Sequence, residues 1–71
     1  MQQHKKKVLI NGALYQCTNS FTIFSLLSYL GFNTNLIVID YNGVILPKES
    51  WNRTGLNTND RIEILTLAGG G

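Results

Sequence analysis

The alternation of apolar and polar positions in the first quarter of the chain predicts a β-hairpin. Apolar runs at residues 8–10 and 13–15 flank the pair Asn11–Gly12. An Asn-Gly pair between two such runs is the strongest short-range signal for a two-residue hairpin turn. We therefore predict strands at residues 7–11 and 13–17.

A helical pattern follows the hairpin. Four apolar residues recur at the spacing i, i+3, i+4, i+7, and they are Ile23, Leu26, Leu27 and Leu30. This spacing places them on one face of a helix. Thr22 precedes the pattern as a suitable N-cap, and Gly31 follows it where a left-handed residue ends a helix. We predict a helix at residues 23–30, with that face packed against a sheet.

The second half of the chain repeats the hairpin signal. Apolar runs at 36–41 and 44–46 flank Asn42–Gly43, and Pro47 ends the second run because proline cannot donate to a strand ladder. One helical turn is expected at 48–51 and a last strand at 61–67.

The predicted order is hairpin, helix, hairpin, strand. The apolar helix face needs a partner, so the helix must cover one face of the sheet. The fold class is therefore α+β, a β-grasp (ubiquitin-like) domain with a mixed sheet of about five strands in the order ββαβββ.

Length and charge refine this prediction. A chain of 71 residues is one domain, residues 1–71. Residues 1–6, which include Lys5 and Lys6 of the basic run Lys5–Lys7, are expected to be a disordered terminus rather than a nucleic-acid surface. No apolar run approaches the roughly 20 residues of a membrane span. We expect a monomer when free, with no nucleic acid and no membrane as partner.

The side chains that could carry catalysis are few. His4 is the single histidine and lies in the terminal run, so no metal site is expected. Cys17 is the single cysteine and is interpreted as a small buried apolar residue. A single cysteine cannot form a disulfide within the chain, which fits a reducing compartment: the cytoplasm, or an organellar stroma or matrix. Trp51 is expected to pack across the core with its indole N–H at the surface. The four acids, Asp40, Glu49, Asp60 and Glu63, are each given a structural role. These features indicate a chain that is not itself an enzyme.

The end of the chain offers different chemistry. Gly69, Gly70 and Gly71 follow a strong strand with only Ala68 between. Glycines lack a Cβ, so such a tail can thread a narrow channel and present an unhindered carboxylate. That carboxylate is inert until activated, and adenylation with ATP would open it to attack by sulfur. Gly71 is therefore the candidate reactive residue, with Gly69 and Gly70 as the segment that a partner enzyme recognises and 68–71 as a flexible reactive tail.

Alternation along the last strand suggests a docking surface. Ile62, Ile64 and Thr66 are expected to face the helix, and Glu63, Leu65 and Leu67 the open face of the sheet. Leu65, Leu67 and Ala68 would then form an apolar partner-binding surface beside the tail.

Three stretches resemble the ThiS-like sulfur carriers of thiamine (thiazole) biosynthesis. They are residues 38–51, with a strand, an Asn-Gly turn, a strand and then Pro-Lys-Glu-Ser-Trp; residues 59–66, with Asp-Arg-Ile-Glu-Ile; and the tail, residues 67–71. The resemblance implies that a ThiF-like (E1-like) adenylyltransferase uses ATP to adenylate Gly71. It also implies that a cysteine desulfurase supplies sulfur to make a thiocarboxylate (1-thioglycine) there, and that a ThiG-like thiazole synthase receives it. No cofactor would be bound by the carrier itself.

Three alternatives stay open at this point. The small subunit of molybdopterin synthase shares the fold and the tail, although it often has proline before the tail where Leu67–Ala68 stand here. A ubiquitin-like modifier would attach the same tail to lysines. A non-catalytic β-grasp interaction module would carry the glycines incidentally.

Overall fold

The computed structural model describes residues 5–17 and 20–67. Its elements are β1 (Lys6–Ile10), β2 (Ala13–Cys17), α1 (Ile23–Tyr29), β3 (Ile37–Tyr41), β4 (Val44–Ile45), a 3-10 helix (Lys48–Arg53) and β5 (Arg61–Thr66). The α+β class, the five strands and the single α-helix are those predicted. β1 begins at Lys6 and so takes in the last residue of the predicted terminal run.

The five strands form one mixed sheet in the order β2-β1-β5-β3-β4. β5 lies at its centre, parallel to β1 and antiparallel to β3. The two hairpins flank it, β1 with β2 and β3 with β4. This topology brings the strand that leads into the C-terminal tail to the middle of the sheet.

Both hairpin turns depend on left-handed backbone conformations. Asn11 and Gly12 have φ values of 50° and 83°, and Asn42 and Gly43 have 52° and 91°. Two consecutive residues with positive φ make a type I′ turn, whose twist matches that of the flanking strands. The Asn-Gly pairs therefore fix the hairpins as predicted.

Local side-chain hydrogen bonds fix the start of α1. The Thr22 hydroxyl accepts from the Ser25 N–H at 3.1 Å, and the Ser25 hydroxyl accepts from the Thr22 N–H at 2.8 Å. This reciprocal pair is a capping box with serine in the place of the usual Glu or Gln. Thr22 is thus the predicted N-cap, and α1 ends one residue before the predicted boundary.

The core lies between α1 and the helix-facing side of the sheet. It contains the predicted residues Ile23, Leu26 and Leu27, with Leu30 packed at its margin. Trp51 corrects one prediction: its side chain is 2% exposed, and its indole N–H donates to the Leu46 carbonyl at 3.0 Å instead of reaching the surface. A buried indole N–H needs an acceptor, and the backbone just before Pro47 supplies it.

Candidate functional site

The predicted reactive tail continues directly from β5. Leu67 is the last described residue, and its N–H donates to the Leu36 carbonyl at 2.8 Å. Ala68, Gly69, Gly70 and Gly71 lie outside the described residues. The structure therefore defines the base from which the tail leaves.

A buried carboxylate anchors the start of β5. Asp60 is 6% exposed and accepts hydrogen bonds from the Tyr41 hydroxyl at 2.7 Å, the Asn57 N–H at 2.8 Å and the Asn42 side-chain amide at 3.1 Å. The Asn42 side-chain oxygen accepts in turn from the Arg61 N–H at 2.8 Å. Burial raises the pKa of the Tyr41 phenol above its ordinary value, and the hydrogen bond and negative charge of Asp60 raise it further. This network ties the β3–β4 turn to the first residue of β5.

A second side-chain amide anchors β5 near its other end. β1 and β5 pair at Leu9 with Arg61 and at Ile10 with Ile62. Beyond that point the Asn11 side chain makes the hydrogen bonds that a continued β1 would make. Its oxygen accepts from the Ile64 N–H at 2.6 Å, and its nitrogen donates to the Ile64 carbonyl at 3.4 Å. β5 is therefore held on its β1 side two residues past the end of the backbone pairing.

The open face of the sheet is apolar next to the base of the tail. Leu65 is 51% exposed and Leu67 48%, as the alternation predicts. Leu65 pairs with Val38, and Leu36, just before β3, and Ile45 in β4 are exposed as well. These five residues define an apolar strip on the face opposite α1.

Thr66 follows the predicted alternation, since it pairs with Ile37, which is buried on the helix-facing side, but Thr66 itself is not buried. Ile62 and Ile64 are buried on the helix-facing side, whereas Thr66 is exposed. The reason is that β1 leaves the sheet at Asn11, so the last residue of β5 has a neighbouring strand on the β3 side alone among the described residues.

Cys17 lies at the opposite end of the sheet from the tail. It is buried in the core, as predicted, and pairs with Lys6 at the start of β1. The distance from Cys17 to the end of β5 can be followed along the strands. From Lys6 to Leu9 there are three residues of β1, and from Arg61, the partner of Leu9, to Leu67 there are six more. At roughly 3.3 Å per residue this is about 30 Å along the strands. Four tail residues span at most about 14 Å, so Gly71 cannot reach Cys17 within one molecule.

The remaining acids form no recognisable catalytic centre. Asp40 and Glu63 are directly opposite on the open face, and the Asp40 carboxylate accepts from the Gly43 N–H at 2.9 Å. Glu49 is exposed in the first turn of the 3-10 helix. In residues 5–17 and 20–67, no three His, Cys, Asp or Glu side chains come close enough to bind a metal ion. Within the same ranges, no helix is long and apolar enough to cross a membrane.

Sequence reasoning missed the side chains that anchor β5. The sequence predicts Asn11 and Asn42 as turn residues and Asp60 as a structural acid, yet the two amides bind β5 directly and Asp60 holds the Asn42 side chain in place. The available signal was that each Asn in an Asn-Gly turn also has an amide able to bond the backbone. Which strand that amide reaches depends on the sheet order, which the sequence does not state.

Comparisons with known proteins agree with this geometry. The model of the ThiS family matches residues 8–71. A protein of Trieres chinensis called uncharacterized protein ycf40 is 42% identical over 66 residues, which cover 93% of this chain and 90% of that protein. A thiazole synthase of Paramagnetospirillum magneticum is 34% identical over 65 residues, which cover 92% of this chain but 20% of the synthase.

A solved structure supports the same relationship. The crystal structure of the thiamine biosynthesis protein ThiS from Geobacter metallireducens superimposes with a TM-score of 0.78 at 26% identity, and the match covers 92% of this chain and 99% of that one. The family match extends over nearly the whole sequence, through the glycine tail, and the folds agree. The chain therefore belongs to the ThiS family, the sulfur carriers of thiamine biosynthesis.

Proposed function

We propose that the carboxylate of Gly71 is the group that carries sulfur. In the first step the carboxylate attacks the α-phosphate of ATP on a ThiF-like adenylyltransferase, which gives an acyl-adenylate and releases pyrophosphate. The persulfide sulfur supplied by a cysteine desulfurase then displaces AMP to give an acyl disulfide, and a thiol reductant cleaves its S–S bond, which leaves 1-thioglycine at Gly71 and a disulfide as the oxidised product. A ThiG-like thiazole synthase receives this sulfur. The chain is a co-substrate in each step.

The observation that carries the proposal is the continuity between a firmly held strand and the tail. β5 is anchored by Asp60 at its start and by Asn11 at Ile64, and the family match runs through Gly71. A fixed base limits where the tail can go, so a partner that binds the domain also restricts the position of its reactive end. Gly69 and Gly70 would let the tail enter a narrow channel.

A ThiG-like partner is supported by the relative from Paramagnetospirillum magneticum. One fifth of that thiazole synthase resembles this chain, so a domain of this type is part of a longer polypeptide that bears the synthase name. Covalent linkage gives two domains a high effective concentration for one another. We propose that the present chain delivers sulfur to a thiazole synthase of this kind.

We propose the apolar strip, with Ala68 beyond it, as the surface that docks on the adenylyltransferase. Leu65 and Leu67 supply exposed apolar area beside the tail. Contact with the domain would add binding energy that the glycines cannot provide, since apolar anchors commonly carry most of the affinity of an interface. We place this activity in a reducing compartment, the cytoplasm or an organellar stroma or matrix, because the single thiol is buried and unpaired.

ATP–pyrophosphate exchange on the cognate adenylyltransferase tests the proposal. The full chain should support exchange, and a chain lacking Gly70 and Gly71 should not, although circular dichroism shows the same fold. Equal exchange with both chains would contradict the proposal and favour an interaction module. Attachment to lysines instead of sulfur transfer would favour a ubiquitin-like modifier.

A further inference from the structure

A groove separates edge strand β2 from α1, far from the tail. It contains a recess of about 180 Å³, lined by Tyr15, Gln16, Cys17, Phe21, Leu26, Tyr29 and Leu30. The rings of Phe21 and Tyr29 pack with their centroids 5.7 Å apart at one wall. Tyr29 is 75% exposed, so the recess opens to solvent at the helix.

The outer edge of β2 has backbone groups available for another strand. Leu9 and Asn11 turn their N–H groups toward β5, where they donate to Asp60 and Ile62. Alternation therefore turns Val8 and Ile10 of β1 toward β2. Their β2 partners, Tyr15 and Ala13, face β1 in return.

Leu14 and Gln16 consequently direct their N–H and C=O groups away from β1. β2 is the last strand on that side of the sheet, and within residues 5–17 and 20–67 no backbone hydrogen bond is formed with either residue at that edge. The edge and the recess lie side by side, because Gln16 contributes to both.

We propose that this groove binds an extended segment of a partner protein, which adds a strand to β2 and inserts one large apolar side chain into the recess. Strand addition takes affinity from main-chain hydrogen bonds and specificity from pockets for alternate side chains. At about 180 Å³ the recess is smaller than a typical small-molecule pocket, which exceeds about 300 Å³, so it selects a single anchor side chain.

The positive charge at the start of β1 indicates which residues should precede the apolar part of the partner segment. Lys6 and Lys7 pair with Cys17 and Gln16, so the basic run of β1 lies beside the end of β2 that borders the recess. Lys5 and Lys7 are exposed, and Lys7 projects on the open face because it alternates with the buried Val8, whereas Lys6 on the recess side donates to the Leu56 carbonyl at 2.9 Å. A segment with carboxylates before its apolar residues would be attracted to this end. The predicted ligand is therefore an acidic-flanked, β-branched and aromatic peptide segment.

The probe is the synthetic peptide acetyl-Glu-Glu-Asp-Val-Ile-Val-Phe-Thr-amide, titrated into the ¹⁵N-labelled full chain. Binding should shift the amide signals of Leu14, Gln16, Tyr29 and Leu30 and slow hydrogen exchange at Leu14 and Gln16. The signals of Leu65 and Leu67 should stay in place. A peptide of the same composition in shuffled order is the control and should bind more weakly.

Gln16→Pro and Gln16→Val form the matched pair of variants. Proline removes the outward N–H, which β1 does not use, and edge strands tolerate it. Gln16→Pro should weaken binding at least about tenfold, whereas Gln16→Val, which keeps the N–H, should stay within about twofold of the parent. The double variant Lys5→Glu, Lys7→Glu should weaken binding and reduce its dependence on salt.

Three results would overturn the proposal: shifts confined to the apolar strip, equal affinity of Gln16→Pro and Gln16→Val, or concentration-dependent broadening at β2 without peptide, which would show that a second copy occupies the edge. Removal of Gly70 and Gly71 should leave peptide binding unchanged. Sulfur transfer and peptide binding can therefore fail independently.

Discussion

Asp60 shows how much one side chain contributes to the base of the tail. Its two carboxylate oxygens accept from Tyr41, Asn42 and Asn57, which belong to different turns and strands. Loss of one partner in such a buried network costs more than loss of an exposed hydrogen bond, because the remaining groups stay desolvated. The position of the first β5 residue depends on this network.

The raised pKa of Tyr41 predicts a loss of stability at high pH. Because the phenol is harder to ionise in the folded chain than in the unfolded chain, its contribution to stability is fully present below about pH 10 and is lost as pH rises through the raised pKa. We expect the free energy of unfolding of Tyr41→Phe to fall less between pH 9 and pH 11, values on the scale of the phenol pKa of about 10, than that of the parent chain. Urea unfolding at the two pH values measures this.

A Tyr29→Phe control, at an exposed hydroxyl, should follow the parent curve, and identical curves for parent and Tyr41→Phe would contradict the prediction.

The buried position of Cys17 predicts a structural role for its thiol. Cys17→Ala should fold with a loss of stability of about 1 kcal/mol and should still accept sulfur at Gly71, since the two ends lie about 30 Å apart. Thermal unfolding and intact-mass measurement test the two halves of the prediction. A folded Cys17→Ala chain that no longer accepts sulfur would indicate a relay through the thiol.

At the scale of elements, local sequence signals predict most of the fold. The two Asn-Gly pairs specify left-handed turns, and the apolar spacing from Ile23 specifies the buried face of α1. The pairing of β1 with β5 could not be read in the same way, because it joins residues about 50 positions apart and no local rule encodes it. The roles of Asn11 and Asn42 as anchors follow from that pairing and were missed for the same reason.

Leu27 provides the test of the helix face. Its side chain is fully buried between α1 and the sheet. Leu27→Ala should lower the free energy of unfolding by about 2–5 kcal/mol, a large share for a domain of this size. Phe24→Ala, at a position off the buried stripe, is the matched control and should cost less. A cost for Leu27→Ala below about 0.5 kcal/mol would mean that the face is assigned wrongly.

At the scale of the whole molecule, the sheet separates two working ends. The tail leaves the end of β5 beside the apolar strip, and the groove beside Cys17 lies at the other end. The proposed reactive carboxylate and the proposed peptide groove are therefore placed so that two different proteins could bind them at once. This separation follows from the strand order, since β2 and the tail-bearing end of β5 are never adjacent.

The apolar strip gives a prediction at this scale. Leu65→Asp should leave the melting temperature close to that of the parent, because the side chain is about half exposed, and should weaken adenylation of Gly71 by reducing affinity for the adenylyltransferase. Leu14→Asp, at an exposed leucine on β2, is the control and should leave adenylation unchanged. A collapsed melting temperature for Leu65→Asp, or equal adenylation of both variants, would remove the strip as the docking surface.

Intact-mass analysis tests the central claim, that Gly71 carries sulfur, most directly. The full chain is incubated with ATP, a sulfur source and the cognate adenylyltransferase, and its mass is compared with that of the chain lacking Gly70 and Gly71. We predict that the full chain gains the mass difference between sulfur and oxygen, that fragmentation locates it at Gly71, and that the shortened chain gains nothing. An unchanged mass of the full chain, or a gain located at Cys17, would contradict the account.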